Sequence, residues 1–315
     1  MAGLIAGRLA GLLLTLFLVS VAVFAAMEVL PGDTASARLG TQATPEALAS
    51  LRAELGLDRP APERYLRWIG GVLTGDLGTS FTYGVPVAKL VADRLAVTLP
   101  LAGLALALAI LVALPLGTLA AARADRAPDA AAALFAQGAL ALPNFWIGLL
   151  LILVFATTLR WMPSGGFPGW EAGIGAGLQA LVMPAVALAL PQAGVLTRVT
   201  RSAVLDMANE DFVRLARAKG LSRRRAILRH ALPNALPPIL TVLGFQFTFL
   251  VAGAVLVENV FNLPGLGSLA RQALVQRDVV VIQDVVLIFA ALTILVNFAV
   301  DLSYLLLDPR LRARR

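Results

Sequence analysis

The chain has 315 residues, of which 59% are hydrophobic and only 14% charged, against roughly 25% charged in ordinary soluble domains. It has no cysteine and a single histidine, His230, which excludes disulfides, thiol chemistry and Cys-ligated zinc and makes a multi-histidine metal site or a Ser–His protease a poor fit. The net charge of +7 is concentrated beside apolar runs, which suits anionic lipid headgroups and topology control better than nucleic acid.

Uncharged windows lie at 9–27, 95–122, 130–159, 172–197, 231–257 and 285–300, the last reaching Leu307 if Asp301 is tolerated. A bilayer core about 30 Å thick takes about 20 apolar helical residues. Six windows meet or nearly meet that length and none alternates as a strand would, so the expected fold is an all-α membrane protein with six transmembrane helices.

Taken in order, residues 1–30 hold the N-terminus and the first span. Its 19-residue apolar run is longer than a signal-peptide core of about 7–15, which favours an uncleaved helix over a leader ending near Ala25 and Ala26. Residues 31–94 predict a small helical extracytoplasmic subdomain between the first two spans. Thr44-Pro45 is a helix start, Gly56 a stop, and Leu48, Leu51, Leu55 and Leu57 fall largely on one side. Pro60 and Pro62 precede a second helix (Tyr65, Leu66, Trp68, Ile69, Val72, Leu73), and Gly75 to Ser80 (GDLGTS) reads as a turn.

The remaining core, 95–315, divides into spans at 95–122, 130–158, 178–199, 235–257 and 284–307, a long cytoplasmic loop at 200–234, an extracytoplasmic turn at 258–283 and a tail at 308–315. Pro115, Pro143, Pro184 and Pro191 favour kinks within spans, as a pathway that opens and closes would use, although proline is common in membrane helices generally. The segment from Arg198 to His230 carries nine Lys/Arg, far more than the other short loops, so it should face the cytoplasm with both termini.

That basic segment is the most informative part of the chain: Asp206 to Pro238 reads DMANEDFVRLARAKGLSRRRAILRHALPNALPP. Leu205, Ala208, Phe212, Leu215 and Ala216 recur at three- and four-residue steps and predict one apolar stripe on a helix. Gly220 stands where a helix-terminating glycine with positive φ belongs, Ser222 is a candidate N-cap for a second short helix, and Pro233, Pro237 and Pro238 mark its end. An amphipathic helix lying on anionic headgroups is the plainer alternative. A glycine joint at the most exposed point gives such a helix nothing, whereas a plug entering a protein groove must turn sharply there.

Arg214-Leu215-Ala216, then Gly220, then nine residues and x-x-Leu-Pro (His230-Ala231-Leu232-Pro233), resembles the "EAA" coupling motif of ABC-importer permeases. The usual first Glu-Ala is replaced by Arg214-Leu215 and the usual Ile by His230, which leaves open any role tied to the motif's glutamate. The wording over 211–238 is similar to the permeases of dipeptide, oligopeptide and nickel importers. Residues 51–80, 142–156, 257–270 and 300–312 each resemble segments of the same family in the same order, and the large first loop is similar to that of the first permease of a pair.

The resemblance implies a type I importer architecture and a non-catalytic permease subunit. Its implied partners are a second homologous permease, two cytoplasmic ABC ATPase subunits and an extracytoplasmic solute-binding protein, with lipid around it and no nucleic acid. It also implies a plug over roughly Ala216–Arg225, which makes Arg214, Ala216, Arg217, Ala218, Lys219, Gly220, Leu221, Ser222, Arg225, Leu232 and Pro233 the candidate ATPase-coupling residues. No GxxxxGK[ST] loop and no Gly-Lys pair occurs, so this chain has no nucleotide site of that type. The expectation is no cofactor bound here, with ATP and Mg on the partner ATPases.

Polar residues inside spans are candidate pathway or gate groups, with helix–helix hydrogen bonding as the alternative. They are Asn144, Gln192, Gln246, Glu258, Asn297 and Asp301. The expected cargo is a di- or oligopeptide, with nickel chelate, glutathione or haem as alternatives within the family. A membrane-embedded enzyme lacks a convergent set of reactive groups, and an independent channel or secondary carrier lacks a visible inverted repeat.

Overall fold

A computed structural model describes residues 2–29, 34–39 and 43–307. The described residues are helical throughout their regular parts and contain no β-strand. In chain order the helices are α1 (Ala2–Val29), α2 (Thr34–Leu39), α3 (Pro45–Glu54), α4 (Ala61–Thr74), α5 (Val87–Ala122), α6 (Ala127–Ala141) and α7 (Asn144–Leu151). A π-helical turn, Ile152–Thr158, follows α7. Then come α8 (Ile174–Ala208), α9 (Asp211–Ala218), α10 (Arg223–Ala226), α11 (Leu232–Val260), α12 (Leu266–Gln276) and α13 (Val279–Leu307).

Five stretches are long and apolar enough to cross a membrane singly: Ala6–Val29, Val87–Ala122, Ile174–Ala208, Arg223–Val260 and Val279–Val300. The sixth is a bent pair, Ala127–Ala141 with Asn144–Thr158, turned by 96°. This is an all-α membrane protein. The kink expected at Pro143 is therefore a full break. Leu142 (ψ 130°) and Pro143 (φ −63°, ψ 143°) are both extended, because a residue before proline is pushed out of the α region and the next helix then restarts after the proline. Pro115, Pro184 and Pro191 instead lie within continuous helices.

Several helices outrun their hydropathy windows. Helix α8 continues to Ala208 rather than stopping near 199, and α5 starts at Val87 rather than 95. Hydropathy marks the part that lipid must cover, whereas a helix runs on until something caps it. The 258–283 turn likewise contains α12. The 308–315 tail lies outside the described residues.

The chain divides into two compact units, residues 1–98 with 264–295, and 99–263 with 296–315. In the first unit, Thr44 caps α3 by accepting from the Ala47 N–H at 3.3 Å, and Gly56 (φ +65°) and Gly75 (φ +82°) follow α3 and α4. Helix α4 is held to α1 by the Ser20–Tyr65 hydroxyl pair at 2.8 Å, by Phe24 against Tyr65 and Trp68, and by the Arg64–Glu28 ion pair at 2.6 Å. The Trp68 indole N–H donates to Asp284 of α13 at 2.7 Å. The GDLGTS turn is tied down by Asp278, which accepts from the Ser80 hydroxyl at 2.6 Å and the Thr82 N–H at 3.0 Å. Leu266, Leu269, Val281 and Val285 form the apolar centre with Val87 and Val91.

In the second unit, α8 packs on α6, α7 and α11, and small residues let the backbones close up. Gly194 meets the Ala136 carbonyl of α6, and Gly117 of α5 meets Thr200 and the Thr197 carbonyl of α8. A Cβ on Gly117 would stand 2.6 Å from Thr200 Cβ and 2.7 Å from the Thr197 oxygen, a contact that only backbone movement relieves. Gly117→Ala should therefore destabilise the detergent-solubilised protein by about 1–3 kcal/mol. Gly103→Ala, on the same helix with nothing within 4 Å, should stabilise it by about 0.5–1 kcal/mol through helix propensity alone. Thermal unfolding of the two variants checks the contrast; a Gly117→Ala protein as stable as wild type would mean that the α5–α8 crossing is loose.

Candidate functional site

The basic segment begins as the end of α8. Asn209 (φ −89°, ψ −6°) closes that helix and Glu210 is extended (ψ 149°), so α9 starts afresh at Asp211. This break corrects the apolar stripe expected from the sequence. Val213 and Ala216 are the buried residues of α9, at 1% and 8% exposure, whereas Phe212 and Leu215 stand open at 43% and 57%. Leu205 and Ala208 belong to α8 and pack against the same apolar cluster, but the turn at Asn209 and extended Glu210 starts α9 afresh, so of the stripe's α9 residues only Ala216 is buried and Phe212 and Leu215 are not.

Helix α9 ends in a Schellman turn. The Gly220 N–H donates to the Arg217 carbonyl at 2.9 Å and the Leu221 N–H to the Ala216 carbonyl at 3.3 Å, around Gly220 at φ +95°. Leu221 then folds back against the same apolar cluster that receives Val213. Ser222 (φ −61°, ψ 149°) sits at the N-cap position of α10 without a side-chain cap bond.

The second helix is not ended by its prolines, contrary to expectation. It runs unbroken from Arg223 to Val260 through a π-turn at Ile227–Ala231. There the Leu232 N–H reaches back five residues to the Ile227 carbonyl, and this wider turn stands just before Pro233, where the helix must take up a missing N–H; a local π adjustment is one way a helix accommodates a proline.

Beneath this module lies a closed core: Val213 from α9, Ala226 and Ile227 from α10 and its π-turn, Ala231, Ala235 and Ile239 leading into α11, Leu196, Ala203 and Val204 from α8, and Ala113 and Ala121 from α5. Burying a side chain the size of Val213 or Ile227 is worth about 1.5–3 kcal/mol each, so the module is seated on three spans and not tethered. Leu221 and Leu232 are half-buried, while Arg214, Arg217, Ala218, Lys219, Gly220, Ser222, Arg225 and Pro233 are exposed. The outer surface is thus an apolar pair, Phe212 and Leu215, on a helix that also exposes Arg214, Arg217, Ala218 and Asp211. The Arg214–Asp211 contact at 3.5 Å, 69% and 99% open, does little to hold it.

The polar residues within spans are scattered. Asn144 abuts Gly253 of α11, and Asn297 of α13 abuts Gly244, with its Oδ1 2.9 Å from where a Cβ would stand. Both occupy helix–helix contacts. Gln246, 4% exposed, donates from Nε2 to the Gln192 carbonyl at 3.5 Å, so these two meet across α8 and α11. Glu258 is fully buried at 0% exposure and does not face an open pathway in this conformation. The side chain of Asp301 lies outside the described residues.

A pair that the sequence reading passed over lies close to the module. Arg201 of α8 makes a two-pronged ion pair with Asp129 at the start of α6, Nη2 to Oδ2 being 2.6 Å, and Asp129 also accepts from the Asp125 N–H at 2.9 Å. The signal was available: Asp129 directly precedes the apolar window 130–159, and Arg201 stands four residues beyond the window 172–197.

The second unit is thus a set of apolar helices in which α5, α8 and α11 carry a packed basic projection. Residues 113–313 match the family described as "Binding-protein-dependent transport system inner membrane component", and residues 1–102 match its N-terminal counterpart, "Binding-prot-dependent transport system membrane comp, N-term". The chain belongs to this family of inner-membrane permease components. It is 38% identical over 305 residues to a probable peptide ABC transporter permease of Sinorhizobium fredii, covering 97% of both chains. It is 39% identical over 313 residues to a putative peptide transport system permease of Brucella abortus, covering 99% of both. It is also 39% identical over 305 residues to the glutathione transport system permease of Salmonella paratyphi A, covering 97% of both.

Proposed function

We propose that the chain is one permease half of an ATP-driven importer for di- or oligopeptides, worked through residues 205–233 by separate ATPase subunits. The observation that carries this is the seating of α9 and α10: a Schellman-locked turn, buried on the ends of α5, α8 and α11, presenting Phe212 and Leu215 within a basic surface. A contiguous apolar patch with a polar rim marks a partner contact. A module packed onto three spans can transmit a push from that partner to them, within the about 1–3 kcal/mol typical of coupling between sites. On this proposal the basic segment and both termini face the cytoplasm, and residues 31–94 lie outside. ATP and Mg are held by two ATPase subunits, and this chain performs no hydrolysis. A second, homologous permease completes the pathway and a solute-binding protein delivers cargo.

The relatives' names favour peptides, and glutathione, itself a tripeptide, falls in the same chemical class. Peptide cargo should pass through a wide, watery path, with selectivity resting mainly on the binding protein. Affinity purification of the chain from its native membrane should recover a second permease and ATPase subunits in fixed stoichiometry, and the partner binding protein should carry a short peptide. Isolation of the chain without any ATPase would end the coupling proposal, and a sugar or inorganic anion in the binding protein would end the peptide assignment.

A further inference from the structure

A groove of about 780 Å³ opens between the end of α5 and the α10–α11 junction. Its walls are apolar, with Leu114 and Leu119 on one side and Ile227, Leu228 and Leu232 on the other. Leu119 and Leu228 are 41% and 46% exposed, so the apolar lining is open. Three arginines, Arg123, Arg223 and Arg224, also line it, and no acidic residue does. None of the three has a side-chain hydrogen bond or ion pair among the described residues. Thr118 lies in the same groove, 7% exposed, with its hydroxyl buried and without a partner. Arg123 is the first charge after the uncharged run 95–122, so the arginines stand where a span leaves the hydrocarbon and meets the headgroups.

The neighbouring polar cavity of about 890 Å³ is different in kind, since its Arg201 is already neutralised by Asp129. The groove at Arg123 instead combines three uncompensated cations with a trough of leucines and isoleucine at the membrane boundary. We propose that it is a binding site for an anionic phospholipid. The phosphate is held by Arg123, Arg223 and Arg224, and one acyl chain lies along Leu119 and Leu228. Basic pockets between membrane helices recognise anionic headgroups in this way, and free phosphate or a soluble anion would leave the apolar trough unfilled. Because Arg223, Arg224 and Ile227 belong to the segment that carries α9, the bound lipid would brace that segment whatever partner it meets. The proposal does not depend on the coupling role.

The test uses the chain with its co-purifying subunits, stripped by detergent exchange and offered phosphatidylglycerol, phosphatidylcholine or inorganic phosphate, with bound molecules counted by native mass spectrometry. Wild type should retain phosphatidylglycerol in preference to phosphatidylcholine. Arg123→Gln/Arg223→Gln/Arg224→Gln should lose it by about fivefold for each arginine removed. A control of equal charge change nearby, Arg126→Gln/Arg198→Gln/Arg229→Gln, outside the groove and the named coupling residues, should retain it. Leu119→Trp, which fills the trough and leaves every charge in place, should also lower retention. Equal loss from both triple variants would mean diffuse surface attraction and would overturn the site. Displacement by inorganic phosphate with no effect of Leu119→Trp would identify an anion site without lipid. Cross-linking of Arg223→Cys to an ATPase subunit with no lipid retained would put a protein in the groove. Either result would sink the proposal.

Discussion

Gly220→Pro should abolish uptake by the assembled transporter while leaving the amount of chain in the membrane unchanged. Proline fixes φ near −65°, and Gly220 sits at +95°. The substitution also deletes the N–H that donates to the Arg217 carbonyl, and with the turn re-aimed, Leu221 can no longer reach the Ala216 carbonyl or the apolar cluster. Forcing proline into such a position costs about 3 kcal/mol or more, at or above the 1–3 kcal/mol through which sites are usually coupled. The uncharged windows that direct insertion are untouched. A graded series separates backbone from contact effects, because a Cβ at position 220 meets nothing within 4 Å. Gly220→Ala should lose only the about 1–2 kcal/mol of left-handed strain, and Gly220→Asn less, since Asn visits that region readily. Uptake and cargo-stimulated ATP hydrolysis in proteoliposomes, beside quantified membrane abundance, give the readout. Normal uptake by the proline variant would remove the turn from the coupling path.

The punctuation of this chain was legible because its causes are local. Thr44-Pro45 opens α3, and Gly56, Gly75 and Gly220 take the positive φ that only glycine adopts without strain. Span-sized windows were equally legible, since a bilayer requires that length whatever the packing. What escaped depends on phase and on distant partners. The inward face of α9 is set by the turn at Asn209 and extended Glu210, which restarts the helix, so Val213 and not Phe212 is buried. Pro233, Pro237 and Pro238 read as a stop, but the π-turn before them lets the helix continue. Asn144 and Asn297 read as candidate pathway groups because polarity in a span is costly, and no local rule gives the glycines they stand beside, Gly253 and Gly244. No local rule links Asp129 to Arg201, 72 residues apart, or Trp68 to Asp284.

Arg201→Met should destabilise the protein by about 3 kcal/mol, the largest loss expected from a single side chain outside the turn at Gly220. The Asp129 side chain is 9% exposed and would keep one bond, from the Asp125 N–H, where it now has that bond and both prongs of the guanidinium. Removing one member of a buried pair typically costs 3–5 kcal/mol because the survivor stays charged and desolvated; the Arg201 side chain is 32% open, which puts the loss at the lower end. Arg201→Lys should rescue little, since an ammonium cannot match both carboxylate oxygens. The double variant Asp129→Ala/Arg201→Met should recover about 2 kcal/mol relative to the sum of the two single losses, because it removes the stranded charge as well. Thermal or chemical unfolding of the four proteins in detergent closes the cycle, and additive losses would mean that the two residues are neighbours without mutual dependence. Arg201 stands ten positions before Asp211 on the helix that feeds α9, and Asp129 opens the bent span. The pair therefore ties the root of the basic module to α6, so the same variants should weaken transport by more than their effect on abundance: a push delivered at α9 would bend the end of α8 without moving the helix it is pinned to.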